Sequence, residues 1–127
     1  MTKKTYILDG SRFTTLSEFA YESSRVCLIN WQWNGNLDAL DDILSGGFGT
    51  PDEGFCLVWR NAALSKHALG YAETVRWYQE IIQKCHPANV GAVKERMVLA
   101  QQEQGQMLFE LILEIIKEHR DIELILE

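Results

Sequence analysis

Cysteine is scarce in this chain of 127 residues: there are three, Cys27, Cys56 and Cys85, all far apart. An odd, widely spaced set cannot build a full disulfide framework, and it contains no CxxC pair for metal or redox chemistry. The three are therefore expected to be small buried hydrophobes. Long apolar runs are missing as well. No segment approaches the roughly 20 apolar residues needed to cross a bilayer, and Lys3-Lys4 leads into a short strand-like run and Asp9-Gly10, not into the apolar core of a secretory signal. The expected compartment is the cytoplasm. Positive charge is the third shortage: 12 Lys and Arg stand against 18 Asp and Glu, a formal net charge of −6. That balance opposes direct binding to nucleic acid phosphates and favours attraction to basic proteins. Nucleotide loops are lacking too, since Gly46-Gly47-Phe48-Gly49 follows a helical segment where such motifs follow a strand. His67, His86 and His119 fall in no recognisable spacing with a nucleophile, and no cofactor or metal site is expected. What remains, 46% hydrophobic and 24% charged residues, is the composition of a globular protein and predicts a single domain over 1–127.

The most informative stretch is Trp33-Asn34-Gly35-Asn36-Leu37-Asp38-Ala39-Leu40-Asp41-Asp42-Ile43-Leu44, which reads as a short acidic helix introduced by tryptophans. Asn36 is a good N-cap, and Ser45-Gly46-Gly47 supplies the stop. Leu37, Leu40 and Leu44 form the expected buried stripe. Asp38 and Asp42, four residues apart, share one flank with Asp41 beside them, and like charges at that spacing oppose each other. The helix N-terminus compensates Asp38 but offers Asp42 little. An acidic ridge without local cations points to a cation supplied by a partner. As a plain alternative, the same residues are a solvated helix face.

The rest of the chain predicts an α/β architecture. Thr5 to Leu8 reads as a strand, and Thr15-Leu16-Ser17-Glu18 as a capping box opening a helix with Leu16, Phe19 and Ala20 inward. Gly46 to Gly54, with four glycines and a proline, marks a loop. Phe55 to Trp59 has the continuous apolar pattern of a strand covered on both faces. Asn61 is expected to cap the next short helix, Ala72 to Cys85 forms another, and Ile122 to Leu126 is the last strand. Strands separated by helices imply a parallel sheet of about three strands packed with helices. From about 69 to 106 the chain carries additional helical sequence, broken at His86-Pro87-Ala88-Asn89. Val93, Met97 and Ala100 recur on one helical face there, and Leu108, Leu111, Ile112 and Ile115 recur on a further run that ends near His119. Gly105 either separates two helices or weakens one.

The run Asn36-Leu37-Asp38-Ala39-Leu40, with an acid at Asp42 and aromatics upstream, resembles the barstar family of intracellular ribonuclease inhibitors. Three further pieces fall in family order: Tyr6-Ile7-Leu8-Asp9-Gly10, Leu57-Val58-Trp59-Arg60 with Ser65-Lys66, and Asp121-Ile122-Glu123-Leu124-Ile125-Leu126. The resemblance covers Lys4 to about Lys66 and the final residues, and sets off 69–106 as an extra helical insertion before the last strand. It implies a non-catalytic protein that blocks the active site of a basic microbial ribonuclease or ribonuclease toxin domain. In that reading Asp42 is the phosphate mimic and Asp38 the second acidic contact. Asn36, Asp41, Trp33 and Trp31 complete the contact surface, and Glu118 or Glu114 stands for the acid that the family draws from its last helix.

The chain departs from the family pattern in places. Trp31-Gln32-Trp33-Asn34-Gly35 moves the glycine next to Asn36 and puts Gln32 at an aromatic position, so Trp31 or Trp33 is expected to take over that contact and the other to be core. Asp41 stands where the family has tryptophan. Trp59 and Trp77 are assigned to packing. Two readings from other classes remain. One is a metal-dependent hydrolase built on Asp38, Asp42 and Glu118, since hard cations favour carboxylates. The other is a scaffold that oligomerises through the C-terminal helices, against an expected monomer.

Overall fold

The computed structural model describes residues 3–27, 33, 36–46, 49–51 and 53–127. Three strands, β1 (Lys4–Asp9), β2 (Phe55–Arg60) and β3 (Ile122–Leu126), form a parallel sheet in the order β1-β2-β3. Among the described residues two helices, α1 (Leu16–Cys27) and α2 (Leu37–Leu44), lie between β1 and β2. Four more, α3 (Ala62–Ala68), α4 (Tyr71–Lys84), α5 (Val90–Gln101) and α6 (Leu108–Glu118), lie between β2 and β3. The parallel sheet and the alternation of strands with helices follow the sequence expectation. Region 69–106 holds α4, a short 3₁₀ turn at Pro87–Asn89 and α5, and Gly105, at φ +76°, separates α5 from α6.

The core is built on the inward face of the sheet. Leu8, Phe55, Leu57 and Trp59 point to one side because side chains alternate along a strand, and α1, α2 and α6 cover them. Trp59 is fully buried at the centre; Phe19 of α1 stacks on it with centroids 5.4 Å apart, and Phe109 of α6 meets it edge-on at 5.3 Å. Its indole N–H donates to Ser65 Oγ at 2.9 Å, so a polar atom in the densest part of the core is satisfied. Gly10 is required beside that pair: a Cβ at this position would collide with Ser65 Oγ and the carbonyl oxygen of Asn61.

The outer face of the sheet differs from expectation. Cys56 is buried, but Val58 is only partly covered and lies in register between Ile7 and Ile125, both exposed. Central position in the sheet, not a second helical layer, accounts for the apolar run of β2. Asn61 also departs: it adopts a left-handed conformation at φ +55° and makes no side-chain cap. Its amide donates instead to Asp9 Oδ1 at 2.9 Å, tying the ends of β1 and β2 together. The capping box at α1 forms by half, with Thr15 Oγ1 accepting from the Glu18 N–H at 3.1 Å while Glu18 turns to the N–H and hydroxyl of Thr14. Cys27 and Cys56 are buried as expected, whereas Cys85 is half-exposed at the end of α4. Burial pushes the Cys27 thiol up to about 12 and keeps it inert.

Candidate partner-binding site

The acidic helix forms as its sequence dictates. Asn36 Oδ1 accepts from the N–H groups of Asp38 and Ala39, at 2.9 and 3.3 Å, satisfying donors that have no partner within the first turn. At the other end the Ser45 N–H closes on the carbonyls of Asp41 and Asp42. Leu40 and Ile43 are the buried residues, with Leu37 and Leu44 partly covered, so the stripe is centred one residue away from the expected Leu37-Leu40-Leu44 line. That rotation sets the charges. With 100° between successive residues, Asp38 and Asp42 stand opposite the core, and Asp41 falls on the flank nearer α6. All three are exposed.

Asp41 is not unattended. His119, which follows α6, places Nε2 2.8 Å from Asp41 Oδ1, and since an ionised carboxylate only accepts, the ring nitrogen is the donor. The expected ridge without local cations therefore needs correction: one of its three acids has a histidine partner inside the chain. Asp38 and Asp42 form no ion pair among the described residues.

Trp33, one of the two tryptophans left between contact and core, is fully buried and takes the core place. Its ring meets Phe19 edge-on at 5.7 Å, its indole N–H donates to the Asn36 carbonyl at 2.7 Å, and its backbone N–H donates to Ser24 Oγ at 2.8 Å. It supports the start of α2 from beneath. Trp31 lies outside the described residues, as do Gln32, Asn34 and Gly35. Trp59 is core as expected. Trp77 is only partly buried and lines a groove.

That groove, about 1040 Å³, runs between α2, α4, α5 and α6 and borders the acidic helix directly. Asn36, Asp38 and Glu118 all line it, so the fold brings the acid of the last helix beside the acidic helix although 80 residues separate Asp38 from Glu118 in sequence. Glu114, the other candidate, accepts from Gln106 Nε2 at 2.7 Å, while Glu118 has no ion pair among the described residues. Sequence reasoning missed the groove and His119. Both depend on how α4, α5 and α6 pack, which local pattern does not specify. Among the described residues no three His, Cys, Asp or Glu side chains are grouped as a metal site, and no helix is long and apolar enough to cross a membrane.

A three-stranded parallel sheet with an outward-facing acidic helix on the first crossover defines an α/β protein with an exposed acidic face. The family model described as Barstar (barnase inhibitor) matches residues 3–108, which takes in β1, the acidic helix, β2 and the whole of 69–106, and the chain belongs to that family. The family is one of barnase-type ribonuclease inhibitors. No curated protein matches the chain.

Proposed function

We propose that the protein inhibits a basic microbial ribonuclease or ribonuclease toxin domain by inserting the carboxylates of α2 into its active site, protecting the cytoplasm in which it resides. An enzyme that cleaves RNA must hold a phosphate among Arg, Lys and His groups. A carboxylate placed there makes the same charge-assisted hydrogen bonds, which are shorter and stronger than neutral ones. The observation that carries this reading is the direction of Asp38 and Asp42: both face away from the core on a capped helix, neither has an ion pair among the described residues, and both belong to a chain of an inhibitor family.

Asp42 is the phosphate mimic and Asp38 the second contact. Asn36 contributes by holding the first turn, Glu118 adds an acid from α6, and Asp41 contributes less because His119 already occupies it. The protein acts as a monomer, by occlusion and without chemistry. The test is inhibition of RNA cleavage by a panel of purified basic microbial ribonucleases, barnase among them, with the protein at increasing concentration. Stoichiometric inhibition of at least one member is expected. Cleavage unaffected across the panel at micromolar inhibitor would sink the reading.

A further inference from the structure

The groove beside α2 has features that the acidic helix alone does not use. An eight-residue helix is only about 12 Å long, whereas a stable complex hides roughly 800 Å² on each partner, a patch about 30 Å across. A ribonuclease seated on Asp38 and Asp42 must therefore overrun α2. One described surface that continues from it is the groove, which Asn36, Leu37 and Asp38 line from the start of α2 and Glu118 from α6.

The size and lining of the groove suit a stretch of chain. At about 1040 Å³ it exceeds what a single side chain fills and lies at the top of the range for small-molecule sites, which run to about 1,000 Å³. Its floor is apolar, with Leu37, Trp77, Ile81, Leu111 and Ile115. The wall formed by α2 and α6 carries Asp38, Glu114 and Glu118 and no Lys or Arg. The opposite wall is mixed: Arg76 is paired with Glu73 at 3.6 Å, and Lys84 and Arg96 have no ion pair among the described residues. An apolar floor beside an acidic wall selects an occupant that is apolar on one side and basic along one edge. The mixed wall adds a charge pattern that penalises segments with cations on the other edge.

We propose that this groove receives a basic, apolar-sided segment of the same ribonuclease whose active site α2 blocks, with Leu99 of α5 in the contact. The proposal rests on the inhibitor reading above. Two neighbours on α5 separate the groove from the helix surface in general. Leu99 and Val98 are 42% and 45% exposed, but only Leu99 lines the groove.

The experiment measures inhibition of the panel member that wild type inhibits most tightly, with Leu99→Lys, Leu99→Gln, Val98→Lys and Asp42→Ala in parallel and melting curves for each. Leu99→Lys should weaken inhibition at least tenfold and Leu99→Gln about threefold or more, with Val98→Lys within twofold of wild type. A neutral Leu99→Lys beside a weakened Asp42→Ala would overturn the groove and leave the acidic-helix reading standing. Equal weakening by Leu99→Lys and Val98→Lys would overturn it as well, since the effect would then follow charge on α5 and not the groove. A neutral Asp42→Ala, or inhibition of no panel member, would remove the inhibitor reading and the groove proposal together.

Discussion

Removing the Asp42 carboxylate should have opposite effects on the free protein and on the complex. In the free protein Asp42 is exposed in the last turns of α2, where the helix dipole disfavours negative charge, and shares a flank with Asp38. Replacing it by alanine relieves an i,i+4 repulsion of about 0.2–0.5 kcal/mol and adds roughly 0.5 kcal/mol of helix propensity. The Ser45 N–H bonds only backbone oxygens in this turn, so the C-terminal closure survives. The melting temperature should therefore stay unchanged or rise by about 2–4 °C. In the complex proposed above, the same carboxylate would sit among the cations of the ribonuclease, and its loss would leave them desolvated and unpaired. Asp42→Ala is expected to weaken inhibition at least about 100-fold, or roughly 2.7 kcal/mol. Asp41→Ala is the internal comparison: because His119 holds Asp41 at 2.8 Å, it should cost less than about tenfold in inhibition. The assay is inhibition of the ribonuclease by both variants, alongside differential scanning calorimetry. Equal inhibition by Asp42→Ala and wild type, or a larger loss for Asp41→Ala, would refute the assignment of roles along this helix.

Further outcomes follow from charge, titration and packing. Association with a basic ribonuclease should slow markedly as salt rises while dissociation changes little, because a net charge of −6 steers encounter and not the docked contacts; stopped-flow rates indifferent to ionic strength would contradict this. Asp9 is held down to about 2 from 3.8, first by the Asn61 side chain and then by Ser11. Its folded-state value is depressed, so its contribution is present above about pH 4 and lost as pH falls through about 2. Urea midpoints across that window should fall more steeply for wild type than for Asp9→Asn, and parallel curves would remove the contribution. Trp33→Ala should destabilise the fold by about 3–5 kcal/mol, measured by urea denaturation, as expected for a fully buried tryptophan and not for an exposed contact residue.

Strand and helix identities were legible because each follows from residues within a few positions. The apolar run Phe55 to Trp59 and the Asn36 cap act locally, whereas Gly105 was readable only as a break or a weak point until its left-handed conformation decided for the break. The acidic face of α2 was legible for the same reason. The rotation of α2 was not, because Leu44 and Ile43 are equally apolar and only packing against the sheet and α6 decides which goes inward. Trp33 illustrates the same limit. Tryptophan serves both cores and interfaces, and it was the Phe19 ring and the Asn36 carbonyl, neither visible as partners in the sequence, that decided between them. The Asp41–His119 contact spans 78 residues, and its formation depends on the length and packing of every helix in between.

The ring series from Trp59 through Phe19 to Trp33, ending in the hydrogen bond to the Asn36 carbonyl, has a consequence for how binding proceeds. It joins the centre of the sheet to the first turn of the acidic helix through rigid aromatic side chains, which have few rotamers to lose. The conformational entropy of fixing that turn is thus surrendered when the chain folds and not when it meets a ribonuclease. Such a helix presents its carboxylates already in place, so complex formation should proceed as a rigid-body docking, with little rearrangement of the backbone from Asn36 to Leu44.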